Sequence, residues 1–337
     1  MAKTTTLEQI AREAGVSLST VDRVINNRGG VSPKREQRVL AAAHGLRLDR
    51  LSFRTPLRTV RIAFAMASPE NPFYVGLQNA VVQETGALTH LNMRSFILHF
   101  ERTTPEGIVA RLRGLEREYD AVVVTCYATP LIKEALRQIS TRVPLLAFIN
   151  DLPGSGRLAY FGPDHERSGR VVGELMGRFL GSEGGDILLI QGFRAMLNQS
   201  MREQGFRAVI AERFPRCRVV ASRESQDIPE RPGEILLEEM RRFPSIRGIY
   251  NMSSGSRSVA SVRRQCRDGH RMAYITHELT ASRKGLLKAG LIDAVIDHNN
   301  TVAARSVLAF LAAHFGRLPQ LRSEPFTPFE IYLRENS

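Results

Sequence analysis

Apolar residues recur at helical spacing at the start of the chain and in short strand-like runs beyond it. Leu7, Ile10, Ala11 and Ala14 share one face at a spacing of about 3.6, which predicts a first helix. Thr6 is placed to cap it, Glu8 lies in its opening turn, and Gly15 ends it because glycine takes a positive φ without steric cost. Ser17 caps a second helix with Val21, Val24 and Ile25 as its inner stripe. Residues 26–30, Asn-Asn-Arg-Gly-Gly, read as a loop. Ser32 and Pro33 are a cap and a first-turn proline that open a third helix through Val39, Leu40 and Ala43. The second helix begins three residues after the first ends, and so tight a turn makes the two cross steeply, as in a helix-turn-helix.

Beyond residue 58 the period changes. Short apolar runs recur at Val60–Met66, Ser95–Phe100, Ala121–Thr125, Leu145–Ile149, Ile187–Ile190, Arg218–Ala221, Gly248–Tyr250, Met272–Ile275 and Ala294–Ile296. Amphipathic stretches separate them, such as the stripe Val171, Val172, Leu175, Met176 and Phe179. Alternating strands and helices predict an α/β fold of parallel sheets with helices on both faces. The stretch is too long for one such sheet, so two lobes are expected. The first spans about 59–161 and 292–320, the second about 162–291 and 321–337, behind a head and linker at 1–58.

In open parallel sheets, ligands bind beyond the carboxyl ends of the strands. The residues after each run are therefore the candidates: Asn71, Phe73 and Tyr74 after the first, Asn150 and Asp151 after the fourth, and Arg202 on the helix after the fifth. Asn251, Ser253, His277 and His298 follow later runs. Planar rings beside fixed polar groups suit a polyhydroxylated ligand, because rings cover C–H faces and polar groups satisfy hydroxyls.

Charge sharpens the picture. The 337 residues carry a net +13, and residues 1–58 hold +6 of it. Positive charge is roughly fourfold denser there than in the rest, as in a module that meets a polyanion. The outward face of the second helix carries Leu18, Ser19, Asp22 and Arg23, with Thr20 and Asn26 at its margins, which suits entry into a major groove. Arg23 can donate two bonds to guanine, and Ser17 and Thr20 can hold phosphate oxygens.

Cys126, Cys217 and Cys266 lie far apart, so neither a disulfide framework nor a structural zinc is expected, and a reducing cytoplasm fits. No apolar segment follows Met1, so no leader peptide is expected, and no run of about 18 apolar residues predicts a membrane span. HExxH, GxSxG and GxGxxG are absent and the histidines are not at ligand spacing, so no enzyme, cofactor or metal is expected.

The pattern A-x-x-A-G-V-S-x-x-T-V-x-R-V-x-N from Ala11 to Asn26, followed by Val31, Ser32 and Pro33, resembles the DNA-binding head of the lactose-repressor family of bacterial transcription regulators. The resemblance runs without gaps from about Thr6 to Ala43. It implies that Thr6, Ser17, Thr20, Arg23, Asn26 and Ser32 contact double-stranded DNA, largely its backbone, and that Leu18 and Ser19 help choose bases. Leu18 would read a thymine methyl. Asp22 stands where the family usually has serine, which is unfavourable beside phosphate unless it pairs with Arg23 or accepts from a cytosine amine. In the family, the next stretch becomes a hinge helix whose leucine wedges into the minor groove. Here Thr55 takes that place, and Pro56 biases it away from helix. Leu51 or Phe53 would have to serve as the wedge, or an extended linker would hold phosphates with Arg50, Arg54 and Arg58.

Residues 60–320 resemble the type I periplasmic sugar-binding fold that senses effectors in the same family. The segment from Asn71 to Tyr74 is similar to one that holds the sugar in ribose-binding-type proteins, and Arg202 matches the arginine that clamps sugar hydroxyls. The resemblance puts Asp151, Ser253, His277 and His298 at or near other ligand-touching positions. Ile149 and His277 stand where sugar binders carry aspartates, which points to a less usual sugar, a polyol, or a phosphorylated or acidic derivative. The chain is thereby expected to be a cytoplasmic, nucleoid-associated repressor, a homodimer or a tetramer on an inverted-repeat operator. Its DNA affinity would follow a carbohydrate-like effector held between the lobes. An exported sugar-binding protein for transport would share residues 60–320 but not the basic three-helix head.

Overall fold

The computed structural model describes residues 6–25, 28–46, 58–101, 104–266, 272–319 and 326–337. Three helices form the head: α1 (Leu7–Ala14), α2 (Leu18–Ile25) and α3 (Pro33–Gly45). They close on a core of Ile10, Ala11, Ala14, Val21, Val39 and Ala42, small enough in its alanines to let the helix backbones approach. Thr6 and Gln9 form a reciprocal capping box at the start of α1, and Gly15 ends it at φ 58°. Arg38 Nη2 donates to the Gly15 carbonyl at 3.2 Å and ties α3 to that turn. Leu40, on α3, faces the body near Gly316. Ala42, three residues beyond Val39, takes the inward place because α3 presents that edge to α1.

The body follows as β1 (Val60–Met66), α4 (Pro72–Ala87), β2 (Met93–His99), α5 (Pro105–Leu112), α6 (Leu115–Glu118), β3 (Ala121–Val124), α7 (Pro130–Ser140), β4 (Leu145–Phe148) and β5 (Ala159–Phe161). The chain then runs through α8 (His165–Leu180), β6 (Gly185–Gln191), α9 (Leu197–Arg213), β7 (Cys217–Glu224), α10 (Arg231–Arg242), β8 (Ile246–Asn251), α11 (Ser256–Gln265) and β9 (Ala273–His277). It ends with α12 (Ala281–Lys288), β10 (Ala294–Asp297), α13 (Asn300–His314) and β11 (Glu330–Tyr332).

Two sheets result, in the orders β2-β1-β3-β4-β5 and β11-β10-β9-β8-β6-β7. Every pairing is parallel except that of β10 with β11. Alternate residues of β1 feed opposite cores: Ile62, Phe64 and Met66 pack with α4 and α13, and Ala63 and Ala65 pack with α5 and α7. The chain returns to the first lobe after Asp297, not at about residue 292. β10 pairs with β9 in the second sheet, and α13 then crosses back, burying Ala303, Ala304, Val307 and Leu308 beside Phe73 and Leu77. β5 and β11, three residues each, were not predicted, because a run that short carries no readable period.

Phe179, assigned to the inner stripe of α8, is 43% exposed. The inward face of α8 is built instead around Gly169, Gly173 and Gly177, which have no hydrophobic signal. Glycine is required where α8 crosses α9: a Cβ on Gly169 would stand 2.0 Å from the Arg202 carbonyl oxygen, and one on Gly205 2.1 Å from that of Glu166. Backbone contact at this crossing fixes where Arg202 enters the space between the lobes.

Candidate functional site

In the head, the first turn of α2 gathers three hydroxyls. Ser17 Oγ accepts from the Thr20 amide at 3.2 Å and lies 2.8 Å from Thr20 Oγ1 and 3.0 Å from Ser19 Oγ. Leu18 beside them is 45% exposed, and Arg23 is exposed on the same helix. Hydroxyls at a helix N-terminus with an exposed arginine one turn on can hold phosphate and reach a base edge. The Asp22 carboxylate accepts from Arg28 at 3.0 Å rather than from Arg23. The chain turns back at the end of α2, with the Arg28 amide on the Arg23 carbonyl, a return that helix spacing does not reveal. Ser32 is exposed, and its carbonyl accepts from the amides of Arg35 and Glu36. Arg58, one of the linker arginines, is held by Asp120 of the body. Asn26, Arg50, Arg54 and the hinge stretch with Leu51, Phe53, Thr55 and Pro56 lie outside the described residues.

In the body, two contiguous cavities lie between the carboxyl ends of the two sheets, an inner one of about 50 Å³ and an outer one of about 500 Å³. The first lobe lines the inner cavity with Asn71, Phe73, Tyr74, Ile149 and Asn150, and the second with Asn198, Gln199, Arg202, Asp227, Ser253 and Arg283. Asn71 Oδ1 caps α4 by accepting from the Phe73 amide at 3.0 Å. The Phe73 ring meets Tyr74 edge-on at 5.1 Å and His298 at 5.6 Å. Asn150 joins the lobes: its Nδ2 donates to the Cys126 carbonyl at 2.5 Å, and its Oδ1 accepts from the Asn198 amide at 3.2 Å.

Arg202 is 1% exposed, and its Nε has no partner among the described residues. Three buried histidines surround it. Burial first, and then the Arg202 charge, hold His165 and His277 well below the usual imidazole range and His298 at about 4. His165 Nε2 lies 2.7 Å from the Ile149 carbonyl and therefore carries the proton, which leaves Nδ1 an unpartnered acceptor. His277 Nε2 lies 2.7 Å from Tyr250 Oη, and neither His277 Nδ1 nor His298 Nε2 has a partner among the described residues.

The structure thus separates the expected ligand residues. Asn71, Phe73, Tyr74, Asn150, Arg202 and Ser253 stand together on the inner cavity. His277 and His298 are placed behind Arg202 and outside the cavity wall. Asn251 is also behind it, accepting from the amide and hydroxyl of Ser253. Asp151 does not reach the cavity. Its carboxylate is forked onto Arg157 and caps the Leu152 amide, beyond a left-handed turn at Ile149 (φ 63°).

Sequence reading missed Asp227, Asn198, Gln199 and the pair of Glu278 with Arg283. Asp227 sits just past β7, where the strand-end rule applies, but the apolar run there stops at Ala221 while the strand continues to Glu224. Burial raises the Asp227 carboxyl, opposed by a bond from the Ser254 amide. Arg283 is locked by Ser253, Ser256 and Glu278 at 2.7, 2.8 and 3.1 Å, contacts no local pattern encodes. Ile149, Asp227 (φ 55°) and Glu278 (φ 67°) all adopt left-handed backbone just after a strand, so strain gathers around this cleft.

The histidines predict an acid-sensitive fold. Each is neutral when folded and has a folded pKa below its unfolded value. Their stabilisation is complete above about pH 6.5 and is lost as pH falls, for His298 down to about 4. Each contributes a slope of about 1.4 kcal/mol per pH unit in that window. Urea unfolding at a series of pH values should show stability falling below pH 6.5, and His298→Asn should flatten the fall. An unchanged slope would place the titration elsewhere.

Among the described residues no group of His, Cys, Asp and Glu is placed to hold a metal ion, and no helix is long and apolar enough to cross a membrane.

Comparison with known proteins agrees with both halves. The model of bacterial regulatory proteins of the lacI family matches residues 6–47, and that of the periplasmic binding protein domain matches residues 62–317. The HTH-type transcriptional regulator DegA of Bacillus subtilis is 34% identical over 87 residues, 25% of this chain and 26% of that protein. The HTH-type transcriptional repressor PurR of Histophilus somni is 26% identical over 218 residues, 61% of each chain. The matches thus span about a quarter and three-fifths of those relatives. An ABC-transporter solute-binding protein from Burkholderia graminis, solved with D-arabinose, superposes with a TM-score of 0.75 at 18% identity, covering 83% of this chain and 96% of the other. At that identity it shows the fold alone.

Proposed function

Since the chain belongs to the lacI family of bacterial regulatory proteins, with a periplasmic-binding-protein domain behind its head, we propose that it is a DNA-binding transcriptional regulator controlled by a carbohydrate held between its lobes. The observation that carries the ligand half is Arg202. A guanidinium buried to 1% exposure with an unpartnered Nε is costly unless something supplies acceptors. Sugar hydroxyls supply them, and Phe73 and Tyr74 offer ring surface for C–H faces. The arabinose held by the Burkholderia protein supports the same class.

In this reading Ser17, Thr20, Arg23 and Ser32 position the head on phosphates, together with Thr6, Asn26, Arg50 and Arg54, while Leu18 and Ser19 sample bases. Asn71, Phe73, Tyr74, Asn150, Arg202 and Ser253 hold the effector, and Asn251, His277 and His298 brace them from behind. A homodimer presents two heads to an inverted repeat. Effector binding alters the angle between lobes and so the spacing of the heads, and DNA binding changes effector affinity by the same factor. The lacI-type head disfavours an exported transport protein.

Thermal melting of the full chain against sugars, polyols, sugar acids and sugar phosphates tests the ligand class. A ligand at 100 times its Kd stabilises by about 2.7 kcal/mol, which raises the melting temperature by roughly a few degrees. No shift with any carbohydrate would contradict the assignment.

A further inference from the structure

The inner cavity is small and polar, whereas the outer one, ten times larger, has a wall that is mainly carbon. Phe100, Ile108 and Tyr127 contribute from the first lobe and Phe193, Met196 and Pro229 from the second. The two spaces are continuous through Tyr74 and Asp227. From this division we infer that the effector is a glycoside bearing a neutral aromatic group, with its sugar ring toward Arg202 and its aromatic group in the outer chamber. The inference rests on the carbohydrate reading above and narrows it.

Three arguments support an aromatic substituent. The inner cavity, about 50 Å³, admits only the edge of a sugar ring that meets Arg202, so the ring extends into the chamber of about 500 Å³, which is the size that encloses a drug-like ligand and which a free monosaccharide leaves partly to water. Water against a carbon wall has few bonding partners, so an apolar group that displaces it gains affinity. Phe100, Tyr127 and Phe193 offer faces and edges to which an aromatic ring is complementary. Charge decides against a phosphate in this chamber. No arginine or lysine lines it among the described residues, whereas the carboxyl groups of Glu70 and Asp227 do.

The test compares the full chain's affinity for D-glucose, D-galactose, D-xylose and L-arabinose with that for their phenyl glycosides in both anomers. At least one phenyl glycoside should bind tenfold or more tighter than its parent sugar, about 1.4 kcal/mol. Phe193 and Tyr127 are half-buried at loops, so Phe193→Ala and Tyr127→Ala should fold. Each should erase most of that preference and leave the parent sugar's affinity unchanged. Parent sugars that bind while every phenyl glycoside binds no tighter would overturn this inference and spare the carbohydrate reading. A preference that survives both substitutions would also overturn it. Absence of binding by every sugar, free or arylated, would overturn both.

Discussion

Arg202→Met should lower effector affinity at least 100-fold without lowering the stability of the unliganded chain. The two effects separate because Arg202 is buried yet has no ion pair or hydrogen bond assigned within the described protein. Each charge-assisted bond it gives a ligand is worth roughly 1.5–3 kcal/mol, so losing two accounts for 100-fold or more. In the empty chain the same guanidinium is buried with its Nε unpartnered among the described residues. Replacing a buried charge with an apolar side chain of similar volume is often neutral or stabilising by about 1–4 kcal/mol. Removing the charge also lets His165, His277 and His298 titrate nearer their ordinary range, so the acid-sensitivity should diminish. Calorimetric titration with the most stabilising sugar and urea unfolding without it give the two readouts. A variant that binds as tightly as the parent chain would remove Arg202 from the site, and one that unfolds readily while empty would make it a structural residue.

Gly169→Ala should destabilise the second lobe by about 3 kcal/mol, the upper end of what overpacking costs. Alanine ordinarily favours a helix over glycine by up to about 1 kcal/mol, so a loss here reverses the usual sign. The cause is backbone rather than side chain: the new methyl would meet the Arg202 carbonyl at 2.0 Å, and α8 and α9 must separate to admit it. Because the obstructed residue is Arg202 itself, effector affinity should fall with stability. Gly285→Ala in α12 is the control, since a Cβ there meets nothing within 4 Å and should raise the urea midpoint slightly. Equal effects of the two substitutions would show that the crossing does not depend on close backbone contact.

Much of this architecture was legible in the sequence because it rests on local rules. The caps at Thr6 and Ser17, the glycine turn at Gly15 and the stripe of Val21, Val24 and Ile25 depend on residues a few positions apart, and they define the head. Strand ends also pointed to Asn71, Tyr74, Asn150 and Ser253, because a parallel sheet delivers its following residues to one edge. What escaped depends on distant chain segments. Asp151 follows a strand as Asn150 does, but Arg157 captures it. His277 and His298 are buried near Arg202, in space that closes only when distant segments of the chain pack together. The apolar period favoured Phe179 over Gly169, although the glycine makes the helix crossing.

The most direct test of ligand-controlled DNA binding is selection of duplex DNA from a random pool by the full chain. The affinity of the enriched duplex is then measured with and without saturating amounts of the most stabilising sugar. The account predicts an enriched inverted repeat, bound poorly by Arg23→Ala. It also predicts an affinity that changes by about tenfold or more when the sugar is added, within the usual 1–3 kcal/mol of coupling. That change should vanish in Arg202→Met. Failure to enrich any duplex, or an enriched duplex bound equally tightly with and without the sugar, would contradict it.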